Sequence, residues 1–167
     1  GHKTEALPAL EKLLTETGSG AIHALWTMHG LQSLDKKNYR LALLSKDPAL
    51  RRNAVRALPA DQTGANLLFE SAVINDRNLE TRLAAFVALS RIPTTDALKQ
   101  AISGLLLDPI NQKDEWLLAA LKAAAANHGV NGNTEMKPGP DLFANSNWKP
   151  VTYGGKAFFD TDDGPMH

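Results

Sequence analysis

Small and apolar residues recur along the chain with a long, nearly constant period. The recurring pattern has anchors at Ala21, Arg51, Arg82 and Asp114, at steps of 30, 31 and 32 residues. Small or apolar residues follow most anchors after three and six positions, and a larger apolar residue follows after seven. These positions are Ala24, Thr27 and Met28; Ala54, Ala57 and Leu58; Ala85, Ala88 and Leu89; and Leu117, Ala120 and Leu121. This period, with one helix on each side of the anchor, predicts an all-α solenoid: a right-handed α–α superhelix of about four helical hairpins.

Helical periodicity and turn residues give the limits of the four predicted pairs. The first predicted helix carries Leu7, Leu10 and Leu14, and its partner covers 21–34. The second pair covers 38–45 and 48–58, and the third pair covers 64–74 and 78–91. The fourth pair is a helix from Thr94 or Thr95 to the Asp108-Pro109 break, with a partner over 113–128. We expect the Gly18-Ser19-Gly20 turn to end the first helix, since glycine tolerates backbone angles that stop a helix. Asp47 is placed to cap the helix that begins at Pro48, and Gly129 to stop the last helix.

The composition changes after the last predicted helix. Residues 129–167 hold six of the twelve glycines and four of the nine prolines. Residues 130–141 are typical of a linker, and 148–159 predict two short strands about a Gly-Gly turn. We therefore divide the chain into a repeat domain, 1–129, and a tail, 130–167, that holds a linker and the start of a truncated β module. The tail aromatics either fold back on the last helical pair or belong to the first strands of a β domain; they are Trp148, Tyr153, Phe158 and Phe159.

Charge and cysteine content exclude several classes of site. Eighteen Lys and Arg balance eighteen Asp and Glu, so the whole chain has no net attraction to nucleic acid or anionic lipid. The absence of cysteine excludes disulfides, thiol catalysis, Cys-ligated zinc and covalent haem attachment within this stretch. The apolar run 117–126 is broken by Lys122 and is shorter than the roughly 20 residues of a membrane span, so we expect no membrane insertion. A helical pattern that already includes Glu5 suggests a segment cut from a longer polypeptide.

His23, Trp26 and His29 form the most conspicuous candidate for a metal or haem site. At 100° per residue the two histidines lie about 240° apart around one helix, so they cannot hold one ion together. We therefore expect packed or capping histidines and no metal site here. His128 lies beside a predicted helix end, where a cation would interact favourably with the helix dipole.

Seven cations stand between positions 36 and 56 against a single acid, Asp47. They are Lys36, Lys37, Arg40, Lys46, Arg51, Arg52 and Arg56. Arg52 and Arg56 share a helix face that could grip phosphates, which leaves a phosphate- or nucleic-acid-binding module as the alternative function. Only Asn38, Tyr39 and Asn53 are interleaved as aromatic or amide side chains that could read bases, so nucleic acid is the less favoured partner. We favour a solvated face on which Arg51 and Arg82 pair with Asp47 and Asp76 across the turns.

Other motifs for chemistry are weak. The acidic run 160–164 has its glycine one position too early for a calcium loop, and a polar β turn is favoured. Asp114 and Glu115 are adjacent and diverge by about 100°, so they cannot converge on a substrate. No Gly-rich phosphate loop, Ser nucleophile elbow or metalloprotease helix is present. We therefore predict no catalytic residue, no metal and no cofactor in this segment.

The motif Arg-x-x-Ala-x-x-Ala-Leu on the second helix, with Asp-Pro or Asn-Asp in the turn, resembles HEAT repeats of the short, armadillo-like type. Arg51 to Leu58 and Arg82 to Leu89 match it well, whereas Ala21 and Asp114 replace the arginine in the first and fourth repeats. The resemblance covers about residues 3 to 129. It implies the solenoid fold that the period predicts.

The segment 22–31 also resembles the HEAT region of large exported bacterial proteins that join a sugar-dehydrogenase-like propeller, HEAT repeats and a c-type cytochrome. Residues 147–157 are similar to the first strands of a carbohydrate-binding-like module that follows the helices in some of them. This resemblance implies a periplasmic or extracellular oxidoreductase as the parent protein, with its redox cofactors in other domains. The partner is then a neighbouring domain of the parent chain or another protein.

These observations favour a non-catalytic scaffold that presents the face of its second helices to a partner. Binding would depend on shape and on scattered anchor residues, because exposed aromatic and arginine side chains dominate many protein interfaces. The candidate contact residues are Trp26, Arg52, Arg56, Trp116 and Trp148.

Overall fold

The structure, a computed structural model, describes residues 3–131, and the regular secondary structure within this range is entirely helical. The helices are α1 (Lys3–Leu14), α2 (Ser19–Gly30), α3 (Lys36–Leu43), α4 (Pro48–Ala57), α5 (Gln62–Glu70), α6 (Leu79–Leu89), α7 (Asp96–Leu107), α8 (Pro109–Lys113) and α9 (Glu115–Asn127), with a 3₁₀ turn at Val73–Asn75. The all-α prediction is confirmed for this range. The predicted strands at 148–159 and most of the predicted tail lie outside the described residues.

Polar side chains cap the starts of most helices. Asp47 Oδ1 accepts a hydrogen bond from the Ala49 N–H at 2.8 Å while Pro48 fills the first turn of α4, as predicted. Thr95 caps α7, which confirms the start predicted at Thr94 or Thr95. Side-chain caps of the same kind begin α3, α5, α6, α8 and α9, at Asp35, Asp61, Asn78, Asp108 and Asp114. The sequence therefore fixes most helix starts through local hydrogen bonds.

Two helices end in the same left-handed motif. After α9, Gly129 has φ of +66°, and Val130 N–H donates to Ala125 O at 2.8 Å, so the predicted stop is confirmed. After α2, Gln32 has φ of +55°, and Ser33 N–H donates to Met28 O at 2.9 Å. Because of this turn, α2 ends at Gly30, earlier than the predicted limit at 34.

Two further predicted boundaries are wrong. The glycine turn does not end the first helix: α1 stops at Leu14, and Gly18, with φ of +85°, immediately precedes α2. The predicted helix 64–74 stops at Glu70, because Ala72 adopts a left-handed conformation before the 3₁₀ turn. The predicted break at Asp108-Pro109 is confirmed, since α7 ends at Leu107, but the short helix α8 that begins there was not predicted; Asp108 Oδ1 caps it by accepting from the Ile110 N–H.

The helices pack as two layers. We call α2, α4, α6 and α9 the second helices; each of them contacts the next in chain order. In the other layer, α1 contacts α3 and α3 contacts α5, while α7 packs against α9. Most of the small and apolar repeat positions are buried between the layers, as predicted, whereas Thr27 is exposed and Ala120 half-buried. Small residues at these positions let neighbouring helices approach closely and share one core.

Candidate interaction surface

The exposed sides of the second helices form a surface that we call the second-helix face. Four large apolar residues are exposed there: Trp26 on α2, Leu79 and Val87 on α6, and Trp116 on α9, with 38%, 42%, 51% and 68% of their surface accessible. All four are mid-helix or first-turn residues. This face therefore carries the predicted contact residues Trp26, Arg56 and Trp116, whereas Arg52 of α4 is half-buried and Trp148 lies outside the described residues.

Trp26 is held in a fixed orientation. Its indole Nε1 donates to Asn53 Oδ1 at 2.9 Å, and Asn53 Nδ2 in turn donates to Ala49 O at 2.8 Å. The His29 ring meets the indole edge-on, with centroids 5.3 Å apart and planes at 86°. The hydrogen bond thus joins the first two repeats, and the 38% of Trp26 that is accessible remains available for contact.

The predicted histidine cluster has separate roles in the structure. His29 packs against Trp26, whereas His23 is exposed. His128 is buried, with Nδ1 2.7 Å from Thr94 Oγ1 and Nε2 2.8 Å from Leu89 O. It therefore joins the end of α9 to the end of α6. Within residues 6–131, no group of three or more His, Cys, Asp or Glu side chains is arranged to hold a metal ion.

Acids from the third repeat neutralise much of the basic stretch. Glu70 forms ion pairs with Lys36, at 3.4 Å, and with Arg40. Arg52 pairs with Glu80. Over the described part of the chain, no ion pair forms at Lys37, Lys46 or Arg56, and these three residues are exposed. The predicted pair of phosphate-binding arginines is thereby reduced to one unpaired arginine, Arg56.

The ion pairs also affect Glu70 itself. Burial alone would raise the pKa of this carboxyl group, but the hydrogen bonds and charges of Arg40 and Lys36 outweigh burial, so its pKa is lowered. Glu70 therefore remains a carboxylate at neutral pH. A phosphate group approaching Lys36 or Arg40 would have to displace it.

The predicted pairing of the anchor arginines is wrong in its partners. Arg51 forms a bidentate ion pair with Asp76 of the next repeat, at 2.6 and 2.8 Å. Asp47 Oδ2 instead accepts from the Gly18 N–H at 2.8 Å, and this bond is the main reason that the pKa of Asp47 is lowered. The nearest carboxylate to Arg82 is Asp108 of the following repeat, at 4.0 Å. Each carboxylate thus reaches back to the preceding repeat.

Arg82 is much more deeply buried than Arg51, with 4% of its side chain accessible against 18%. It donates to the backbone oxygens of Asn75 and Asp76, both at 2.9 Å, and to Asn111 Oδ1 at 3.0 Å. Burial lowers the pKa of Arg82, and the charges of Asp108 and Asp76 oppose that effect. Its hydrogen bonds make Arg82 a structural link between the third and fourth repeats, not a group presented to a ligand.

A cleft of about 360 Å³ lies beside the loops that precede α3 and α5. Its lining residues are His29, Gln32, Leu34, Asp35, Lys36, Tyr39, Pro59, Asp61 and Thr63. The Tyr39 hydroxyl already donates to Ala57 O at 3.0 Å, and burial, followed by the charge of Asp61, raises its pKa. Asp35 and Asp61 are occupied as helix caps. Tyr39, Asp35 and Asp61 therefore serve the local fold.

Comparison with protein-family models, curated proteins and solved structures finds no match to this chain. Among the helices of residues 3–131, none combines the length and the apolar character needed to cross a membrane.

Proposed function

We propose that this chain is a non-catalytic, HEAT-like scaffold, arranged as a right-handed α–α superhelix, that binds protein through its second-helix face. Serial packing of α2, α4, α6 and α9 supports the repeat architecture. The partner is a neighbouring domain of a longer polypeptide or a separate protein.

The observation that carries the proposal is the contrast between apolar and basic groups. Trp26, Val87 and Trp116 are exposed on this face, where large apolar residues favour protein contact. In the basic stretch 36–56, which covers α3 and α4, Lys36, Arg40, Arg51 and Arg52 are paired with carboxylates. Ion-paired cations release fewer counterions on binding phosphate, so pairing weakens the case for nucleic acid.

The resemblance of 22–31 and 147–157 to large exported bacterial proteins supports a more specific context. In this context the chain is a spacer in the periplasmic or extracellular part of an oxidoreductase whose cofactors lie in other domains. A signal peptide upstream and a Cys-x-x-Cys-His motif downstream in the parent gene would support that context. A parent gene that encodes neither feature would instead favour a general adaptor protein.

Site-specific photo-crosslinking tests the binding proposal. A photoreactive amino acid replaces Trp26 or Val87 on the second-helix face, with Gln62, an exposed residue of α5 in the other layer, as the matched control position. We expect a discrete protein adduct from positions 26 and 87 in native cells and none from position 62. Adducts to nucleic acid, or equal yields from all three positions, would contradict the proposal.

A further inference from the structure

Helix α9 is apolar on nearly every side. Between positions 116 and 126 its only charged residue is Lys122. One side is buried in the core through Leu117, Leu121, Ala124 and Ala125. The opposite side is exposed, at Trp116, Ala119, Ala123 and Ala126. A helix that is apolar all round is normally covered on all sides, so the exposed side of α9 requires a second contact.

The exposed surface extends beyond α9. Trp26, five residues after its anchor, contacts Asn53, which lies two residues after the next anchor. Val87 and Trp116 occupy these same two positions in the third and fourth repeats. The repeat geometry thus places Val87 beside Trp116 and continues the α9 stripe onto α6. The patch therefore includes two large apolar side chains that are more than half exposed.

The chain leaves α9 close to this patch. Val130 N–H donates back to Ala125 O, and the Val130 side chain packs on the core. Residues 132–167 follow directly. The stripe from Trp116 to Ala126 is roughly 15 Å long at 1.5 Å per helical residue, whereas the stretch from 131 to 148 can span up to roughly 55 Å when extended. The following segment can therefore reach the whole stripe.

The composition of the following segment complements the patch. Four aromatic residues fall between positions 148 and 159, and residues 132–167 carry five acids against three bases. Lys122, at the edge of the stripe, is exposed and forms no ion pair within the described residues. Aromatic side chains can bury the large apolar surface of the stripe, and the acidic residues have the charge opposite to that of Lys122.

We propose that residues 132–167 pack back onto the exposed side of α9, with their aromatic side chains against the stripe from Trp116 to Ala126. This inference rests on the proposed role of the second-helix face in binding, and it names the occupant at the C-terminal end of that face. The partner there is a segment of the same chain.

Thiol accessibility in the full chain tests this contact, because the sequence has no cysteine and a single introduced thiol reports one position. The test variant is Ala123→Cys, and the matched control is Ala9→Cys, an exposed alanine of α1 at the other end of the molecule. Labelling rates are normalised to those of the same variants in denaturant. We expect Ala123→Cys to react at least about tenfold more slowly than Ala9→Cys. Adding Trp148→Ala, Phe158→Ala and Phe159→Ala should abolish this protection.

The results of this experiment distinguish coverage of α9 by residues 132–167 from no coverage and from coverage by a second copy of the chain. Equal labelling at positions 123 and 9, or protection that survives the three aromatic substitutions, overturns the inference. Protection that increases with protein concentration also overturns it, because a second copy of the chain would then cover α9. Ala119→Cys provides a repeat of the test if Ala123→Cys does not fold. Crosslinking from Trp26, on α2 at the other end of the second-helix face, is independent of α9, so the proposed function could stand while this inference fails.

Discussion

Arg51 and Arg82 occupy the same position in consecutive repeats, yet the junctions that they build differ. Arg51 is partly accessible, at 18% of its side chain, and forms a close bidentate ion pair with Asp76. Arg82 is 4% accessible and lies 4.0 Å from its carboxylate, Asp108, while backbone oxygens and Asn111 take its hydrogen bonds. One junction depends on charge pairing near solvent and the other on a buried hydrogen-bond network.

This difference shows that a repeated residue does not have a repeated energetic role. Burial makes a charged group costly to leave without partners, so the same substitution is far more damaging in the interior than near the surface. The junction between the third and fourth repeats should therefore be the most sensitive to loss of its arginine. The first junction has no arginine at all, since Ala21 occupies the anchor and Asp47 bonds to Gly18 instead.

The largest effect is expected for Arg82→Ala. Removing the guanidinium leaves the carbonyl oxygens of Asn75 and Asp76 and Oδ1 of Asn111 without this donor. It also leaves the buried Asp108 carboxylate without the positive charge that lies 4.0 Å away. We expect a loss of about 3–5 kcal/mol in the free energy of unfolding, measured by urea denaturation followed by circular dichroism. A loss no larger than that of Arg51→Ala would contradict the contrast between the two junctions.

Arg51→Ala should have a smaller effect. Water can reach part of the site, and Asp76 Oδ1 keeps its hydrogen bond from the Asn78 N–H. The expected loss is about 2 kcal/mol, the value typical of a hydrogen bond to a charged group. The same denaturation experiment measures it, and added salt should reduce the difference between Arg51→Ala and wild type more than it does for Arg82→Ala.

The first junction should depend on pH through Asp47. The pKa of Asp47 in the folded chain is below its ordinary value of 3.8, chiefly because of the Gly18 N–H, so its carboxylate form stabilises the fold. That stability is present above pH 3.8 and is lost as the pH falls through the lowered pKa. Asn has one side-chain oxygen and can keep only one of the two hydrogen bonds that Asp47 accepts from Gly18 and Ala49. Asp47→Asn should therefore lose about 1 kcal/mol relative to wild type at neutral pH and progressively less below pH 3.8. A difference that is constant with pH would contradict this account.

The smallest effect is expected at the two left-handed helix ends. Gln32 and Gly129 occupy equivalent positions after α2 and α9, but only glycine adopts positive φ without steric cost. Gln32→Gly should raise the free energy of unfolding by up to about 1 kcal/mol, and Gly129→Ala should lower it by about 1 kcal/mol. Thermal unfolding of both variants measures the effects, and opposite signs from those given would show that the turns are not equivalent.

Local signals made much of the helical framework predictable. Asp47-Pro48, Thr95 and Gly129 act through hydrogen bonds and backbone angles within a few residues, so the sequence alone identified them. The short helix α8 and the break at Ala72 were missed. Ala72 gives no sequence signal for a left-handed conformation, and five residues are too few to show a helical period.

The ion pairs of the candidate site were not predicted, because they join residues about one repeat apart. Arg40 pairs with Glu70, Arg52 with Glu80, and Arg51 with Asp76, all between neighbouring repeats. A charge count over a continuous stretch cannot detect such pairs. Comparing each cation with acids found one repeat period later in the sequence would have revealed them, since stacked repeats bring equivalent positions together.

The central claim is that the second-helix face binds protein through apolar residues rather than through its basic ones. Calorimetric titration of the crosslinked partner with Val87→Asp and Arg56→Ala, at low and high salt, tests it most directly, because both residues are exposed at equivalent positions of α6 and α4. We predict at least about a tenfold loss of affinity for Val87→Asp, little change for Arg56→Ala, and weak dependence on salt. A steep loss of affinity with salt, together with a larger effect of Arg56→Ala, would contradict the account.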